Sequence, residues 1–268
     1  MKRINLFLCA SIALASLLVF SCKPDVTDDD GKDKDKQEQN NNNNNNNNQN
    51  QQPAYVSLVK VDGNFSDWDE LPQENVKTVA SDPASKRQTF TQASFYADEA
   101  CLFIRVKLNP NPDSLDVQHN NYAMHVYLDI DNNPETGGYL GQPWEFINFG
   151  ADIQLEKEMW NSSITPSDFT PSVEIWPANE APGPWETWVQ VASRGTVGHS
   201  VFNQEELELE LCVYFDGLPL DEDELGATIG AGVSILRNWK PVGAIPNGPV
   251  TAEDEYGRGQ FVVLARNV

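Results

Sequence analysis

Basic residues are scarce in this chain. It carries 18 lysines and arginines against 40 aspartates and glutamates, a formal net charge of −22. Phosphate contacts need Lys and Arg, so this balance argues against nucleic acid or anionic lipid as a partner. Cysteine is equally sparse, with four in 268 residues, and none stands in a metal-type CxxC spacing. Past residue 22 no stretch approaches the roughly 20 apolar residues that span a bilayer. No G-x-S-x-G, H-E-x-x-H, Walker or dinucleotide fingerprint occurs. Acidic residues are too numerous for counting to single out a glycosidase pair. Asp221–Glu224 and Glu253–Glu255 read as solvated loop charge. No internal repeat is present, and helical periodicity is confined to short pieces.

What is present starts at the N-terminus. Met1-Lys2-Arg3 precedes an apolar run from Ile4 to Phe20, the layout of a secretory signal. Val19-Phe20-Ser21-Cys22 follows, and a small residue before a cysteine at that place resembles the lipobox of bacterial lipoproteins. The resemblance implies cleavage after residue 21 and diacylglycerol on the Cys22 thiol. The alternatives are an ordinary signal with a chance cysteine, or an uncleaved helix. Two or three acyl chains, at about 0.8 kcal/mol per buried CH₂, anchor stably where one does not. The acidic cluster Asp25 to Asp30 resembles the surface-export signal of lipoproteins in glycan-degrading Gram-negative bacteria. That implies an outer-membrane, cell-surface location; a plain solvated spacer is the other reading.

Residues 22–53 read as a disordered tether. Asp and Lys alternate from Gly31 to Lys36, and an asparagine run from Asn40 to Asn48 passes into glutamine-rich sequence. Such composition buries too little apolar surface to offset chain entropy. As a flexible coil the tether spans on the order of 30 Å, and about 100 Å when stretched.

Residues 54–268 read as one large all-β domain. Period-two alternation predicts strands at 55–61, 89–96, 101–108, 122–130, 145–149, 153–156, 173–176, 187–192, 206–211, 227–236 and 260–265. In Glu206-Leu207-Glu208-Leu209-Glu210-Leu211 the glutamates are expected to face water and the leucines a core. Strands punctuated by Gly, Pro, Asn and Asp indicate an antiparallel β-sandwich or barrel. Cys101 and Cys212 lie in strand-like runs and read as two buried thiols or, in an oxidising compartment, a disulfide.

Val61-Asp62-Gly63-Asn64-Phe65-Ser66-Asp67-Trp68 resembles the opening of family 9 carbohydrate-binding modules, within the wider DOMON-like (jelly-roll) sandwiches. Phe95–Ile104 is similar to that family's acidic-turn hairpin. Val126-Tyr127-Leu128-Asp129-Ile130-Asp131-Asn132-Asn133-Pro134-Glu135-Thr136-Gly137-Gly138 is similar to its D-x-D-N-(N/D)-P-x-T-G loop. Gly150-Ala151-Asp152 is similar to the strand that follows. The resemblance implies a sandwich fold and a sugar held between two tryptophans, which align to no particular positions here. Trp68 reads as core.

All seven tryptophans lie in this domain. Sugars stack their C–H faces on aromatic rings, and loops concentrate binding residues. Candidate contacts for a glycan ligand are therefore Trp144, Trp160, Trp185, Trp188 and Trp239, with Glu145, Asn161, Glu186 and Asn238 beside them; the competing role for these rings is core packing. Asp129, Asp131, Asn133 and Glu135 place oxygens two residues apart, as a structural calcium requires; an Asx-rich turn satisfying its own backbone is the alternative. Some DOMON-like sandwiches hold haem through Met and His. Here Met124 and His125 are adjacent on a strand and point to opposite faces, which argues against it. The leading expectation is a non-catalytic surface lipoprotein that binds carbohydrate and passes it to surface enzymes or an outer-membrane importer. The alternative is an accessory, protein-binding subunit of an outer-membrane complex.

Overall fold

The computed structural model describes residues 55–110, 120–133, 136–138, 146, 150–160, 168–177, 188–221 and 224–267. The expected strand at 145–149 lies outside them except for Phe146.

Among the described residues the alternation resolves into twelve strands in two antiparallel sheets, the β-sandwich that the pattern predicts. The five-stranded sheet runs β1 (Lys77–Ala80), β2 (Phe90–Ala97), β3 (Cys101–Leu108), β9 (Glu208–Tyr214), β8 (Gly198–Asn203). The seven-stranded sheet runs β11 (Lys240–Ile245), β10 (Thr228–Arg237), β4 (Tyr122–Asp129), β5 (Ile153–Trp160), β6 (Ser172–Ile175), β7 (Val189–Val191), and β12 (Val262–Ala265) also pairs with β10. Sequence periodicity missed β1, β8 and β11, which are short or only half-buried.

Register sorts each strand's residues by face. In the smaller sheet Phe95 pairs with Ile104, and Ile104 with Leu211. In the larger, Val233 pairs with Val126, and Val126 with Leu155. These inward positions, with Phe90, Tyr122, Met124 and Trp160, form the main core between the sheets. Burying each such side chain contributes about 1.5–3 kcal/mol.

The expected strand at 55–61 is instead an irregular strap across the outer face of the smaller sheet. Val59, Phe65, Trp68 and Leu71 make a second apolar cluster there with Tyr96, Cys101, Phe103 and Cys212. A five-residue helix, α1 (Ser66–Glu70), carries Trp68 down onto the sheet. Trp68 is 3% exposed, as expected of a core residue.

The strap overturns the expectation for Glu206 to Glu210. Glu206 is exposed, but Glu208 and Glu210 are buried on the face that should have met water. Arg105 and Lys107, on the neighbouring strand, pair with Glu208 at 2.6 and 3.1 Å. The strap supplies Glu210 with three N–H donors: the Trp68 indole at 2.6 Å and the Asp62 and Gly63 amides. The 253–255 loop also differs from expectation. Asp254 is buried and accepts from the Tyr256 and Arg258 amides and from Arg258 Nε. These bonds hold its carboxyl below the usual range, against a desolvation that pushes the other way.

Candidate functional site

On the outer face of the seven-stranded sheet Phe146 and Phe261 cover Tyr127 and Ala244, and beside them polar side chains gather in register. Ser234, His125, Glu156 and Ser172 form one row across β10, β4, β5 and β6; Tyr127, Gln154, Glu174 and Gln190 form the next. The rows are cross-linked. His125 Nδ1 lies 2.9 Å from the Tyr127 hydroxyl and Nε2 lies 3.0 Å from Glu156 Oε2; the Gln154 amide donates to Glu174 at 3.2 Å. Burial and the nearby Glu156 push the Glu174 carboxyl upward. His125, Tyr127, Gln154 and Ser234 are buried in this network, so the half-buried Glu156 and Glu174 carboxylates and the exposed Gln190 amide are the groups placed to accept from and donate to hydroxyls.

Aromatic rings border these rows. Tyr127 meets Phe146 edge-on at 5.8 Å and Phe261 nearly parallel at 6.5 Å. Gly232 makes room for them: a Cβ there would lie 2.7 Å from the Phe146 ring. At the next register position Trp176 meets Trp188 edge-on at 5.5 Å, and a Cβ on Gly138 would sit 2.5 Å from the Trp188 ring. Trp188 Nε1 is buried and has no hydrogen-bond partner among the described residues.

The expected aromatic contacts therefore separate. Trp188 borders the polar rows. Trp160 is 2% exposed and packs edge-on against Phe202 in the core. The strand runs on to residue 160 and turns this ring inward opposite Tyr122, so Trp160 is corrected from sugar contact to core. Trp239 is 63% exposed at the tip of the β10–β11 hairpin. Asn238 beside it bonds inward: its amide donates to Asn120 Oδ1 at 2.8 Å and its Oδ1 accepts from the Asn121 amide at 3.1 Å. Trp144, Glu145, Asn161, Trp185 and Glu186 lie outside the described residues.

The metal candidates are partly brought together. Asp129 and Asp131 lie with Asp152, their ligand oxygens all within 4.8 Å of one another. Asp152 was in the resembled Gly-Ala-Asp motif but not read as a ligand; it is contributed by the neighbouring chain segment, which periodicity cannot reveal. Asn133 serves the loop through its backbone, its amide donating to Asp129 at 3.1 Å and Asp131 at 2.9 Å. Glu135 lies outside the described residues. Burial, then repulsion from Asp152, pushes the Asp129 carboxyl up to about 7; burial pushes Asp152 up to about 6. Three carboxylates gathered this closely fit a hard divalent cation, which takes oxygen ligands.

Cys101 and Cys212 are free and buried beneath the strap. Burial pushes the Cys101 thiol up to about 12.

No family model matches this chain, and no curated protein does. Among solved structures it is similar to a carbohydrate binding module family 9 domain from Caldicellulosiruptor kristjanssonii in complex with cellotriose. The two are 11% identical, the match covers 80% of this chain and 91% of that one, and the TM-score is 0.34.

Proposed function

We propose that this chain is a non-catalytic carbohydrate-binding lipoprotein, held by lipid on Cys22, that takes glycan on the outer face of its seven-stranded sheet. The observation that carries the reading is the pair of polar rows with Trp188 at their border. Glu156, Glu174 and Gln190 present carboxylate and amide groups on a rigid sheet, with His125 and Gln154 buried behind them, and hydroxyl-rich ligands need acceptors and donors together. An aromatic edge beside them supplies the apolar contact. Trp239 adds an exposed ring at one end of the same sheet.

The signal-like N-terminus, the cysteine at 22 and the acidic, Asn-rich stretch support a place outside the outer membrane. There a tethered binding domain would collect oligosaccharide for neighbouring surface enzymes or an importer. Asp129, Asp131 and Asp152 hold calcium in this reading, as a brace for the β4–β5 loop.

Affinity-gel electrophoresis over a series of polysaccharides tests it. At least one is expected to retard the chain, and Gln154→Ala with Glu156→Ala is expected to abolish the retardation. Unretarded migration on every polysaccharide, with retention on immobilised outer-membrane proteins, would replace the glycan reading with the protein-binding one.

A further inference from the structure

The opposite sheet holds a cleft that the glycan-binding face does not use. It opens between the strap and the outer face of β1, β2 and β3, and encloses about 450 Å³. That size lies within the range of small-molecule sites. Register builds it. Thr78 pairs with Ser94, Ser94 with Arg105, and Gln92 with Lys107, so side chains from three strands meet on one surface. The strap covers the apolar part of that surface with Trp68 and Leu71. Over the polar part it leaves a gap.

Arg105 forms the floor and is fixed from two sides. Its guanidinium lies 4.5 Å from the centre of the Phe65 ring, and its Nε donates to Glu208 at 2.6 Å. The described residues offer its two terminal nitrogens no hydrogen-bond or ion-pair partner. The Gln92 amide beside it is likewise uncommitted. A planar donor fork held flat loses little freedom when it binds an oxygen-rich ligand. Formal charge in the lining balances: Arg105 and Lys107 stand against Asp69 and Glu206, with Glu208 shared beneath by both cations. An anion gains nothing from such a lining, whereas a neutral polyol meets donors and acceptors together.

We infer that this cleft is a second binding site for a neutral saccharide unit, on the sheet opposite the first, so that one chain engages two segments of glycan. Two sites on one rigid body raise avidity for a polymer by making the second contact intramolecular. The inference stands on the cleft's own lining and does not depend on the polar rows of the other sheet.

Titration calorimetry of the full-length chain with cellotriose, mannotriose and maltotriose, and with trigalacturonate as an acidic probe, tests it. At least one neutral trisaccharide is expected to bind at two equivalents per chain. Gln92→Trp fills the cleft from a half-buried strand position without touching the Arg105–Glu208 pair, and is expected to leave one equivalent. Gln154→Ala with Glu156→Ala is expected to leave the other, which Arg105→Gln then weakens about tenfold (1.4 kcal/mol). Unchanged thermal midpoints would show that these chains remain folded. Binding at one equivalent that Gln92→Trp leaves intact would overturn the cleft and spare the first face. Binding at one equivalent that only Gln92→Trp removes would uphold the cleft and overturn the first face. Binding of trigalacturonate alone would overturn the ligand class, and absence of binding by all four probes would overturn both sites.

Discussion

The indole N–H of Trp68 donates to the Glu210 carboxylate at 2.6 Å, joining positions 142 residues apart in sequence. Glu210 is 0% exposed, and its other oxygen accepts the amides of Asp62 and Gly63 at 3.1 and 3.3 Å. One carboxylate thus closes the strap onto the sheet. Removing it in Glu210→Ala deprives the Trp68 indole and the Gly63 amide of their acceptor, while the exposed Asp62 amide keeps Lys60 O at 3.0 Å; each donor left unsatisfied costs about 1–3 kcal/mol. A loss of at least about 2 kcal/mol is expected in urea unfolding. Glu210→Gln is expected to recover only part of this, because its NH₂ group faces a donor. A loss under 0.5 kcal/mol for Glu210→Ala, about that of a neutral surface change, would show that the strap is held by its apolar contacts alone.

Trp239 occupies a backbone conformation that suits it poorly. Asn238 and Trp239 are the central pair of the hairpin turn between Arg237 and Lys240, at φ 49° and 65°. Both central residues at positive φ is the type I′ arrangement, which favours Asn-Gly. A bulky residue there costs about 1–2 kcal/mol, and the ring recovers no burial. Trp239→Gly is therefore expected to raise stability by about 1 kcal/mol and to weaken glycan retention. Improved stability with unchanged retention would remove Trp239 from the binding surface.

The carboxylate trio is expected to tie stability to pH and, in the proposed reading, to calcium. Asp129 and Asp152 have folded-state values raised to about 7 and 6, so the fold favours their protonated forms. Without metal, the stability they contribute is full below the unfolded carboxylate range and is lost as pH rises through 6 to 7. The melting temperature of the chelator-treated chain is expected to fall across that window. Calcium at pH 8, at a hundredfold excess over its Kd, is expected to restore about 2.7 kcal/mol, or a rise of about 5–10 °C. The effect should fade below pH 6 as protons compete. A flat response to calcium at pH 8 would leave the loop as a self-satisfied Asx turn.

Thiol chemistry reports on both ends of the chain. Cys101 and Cys212 are free and buried, and burial raises both thiols. Iodoacetamide at pH 8 is expected to leave the native chain unlabelled. Denatured protein purified from membranes is expected to take two labels by mass if, as proposed, Cys9 leaves with the signal and the Cys22 thiol is alkylated. A third label would argue against the lipid.

The sandwich was legible because its inward positions repeat at two: Leu102, Ile104 and Val106 on β3 meet Leu209, Leu211 and Val213 on β9. Trp68 was legible as core from the turn preceding it. Glu208 and Glu210 were not, because alternation tells one face from the other and not which face a distant segment will cover. Trp160 misled for a similar reason, since sequence cannot show that β5 extends to include it. The His125–Glu156 and Gln154–Glu174 contacts needed strand register, and Asp152 needed the neighbouring segment that brings it beside Asp129.

Among the described residues most margins of the two sheets are short or divided. β1 has four residues and opens with Lys77, β7 has three, and the far side of β10 is divided between β11, which opens with Lys240, and β12. Unpaired N–H and C=O groups along a long edge would template pairing with another chain; brief, charged edges discourage it. That leaves β8, the other margin of the five-stranded sheet, with six residues and no lysine or arginine, as the edge at which two crowded copies of the domain would pair first.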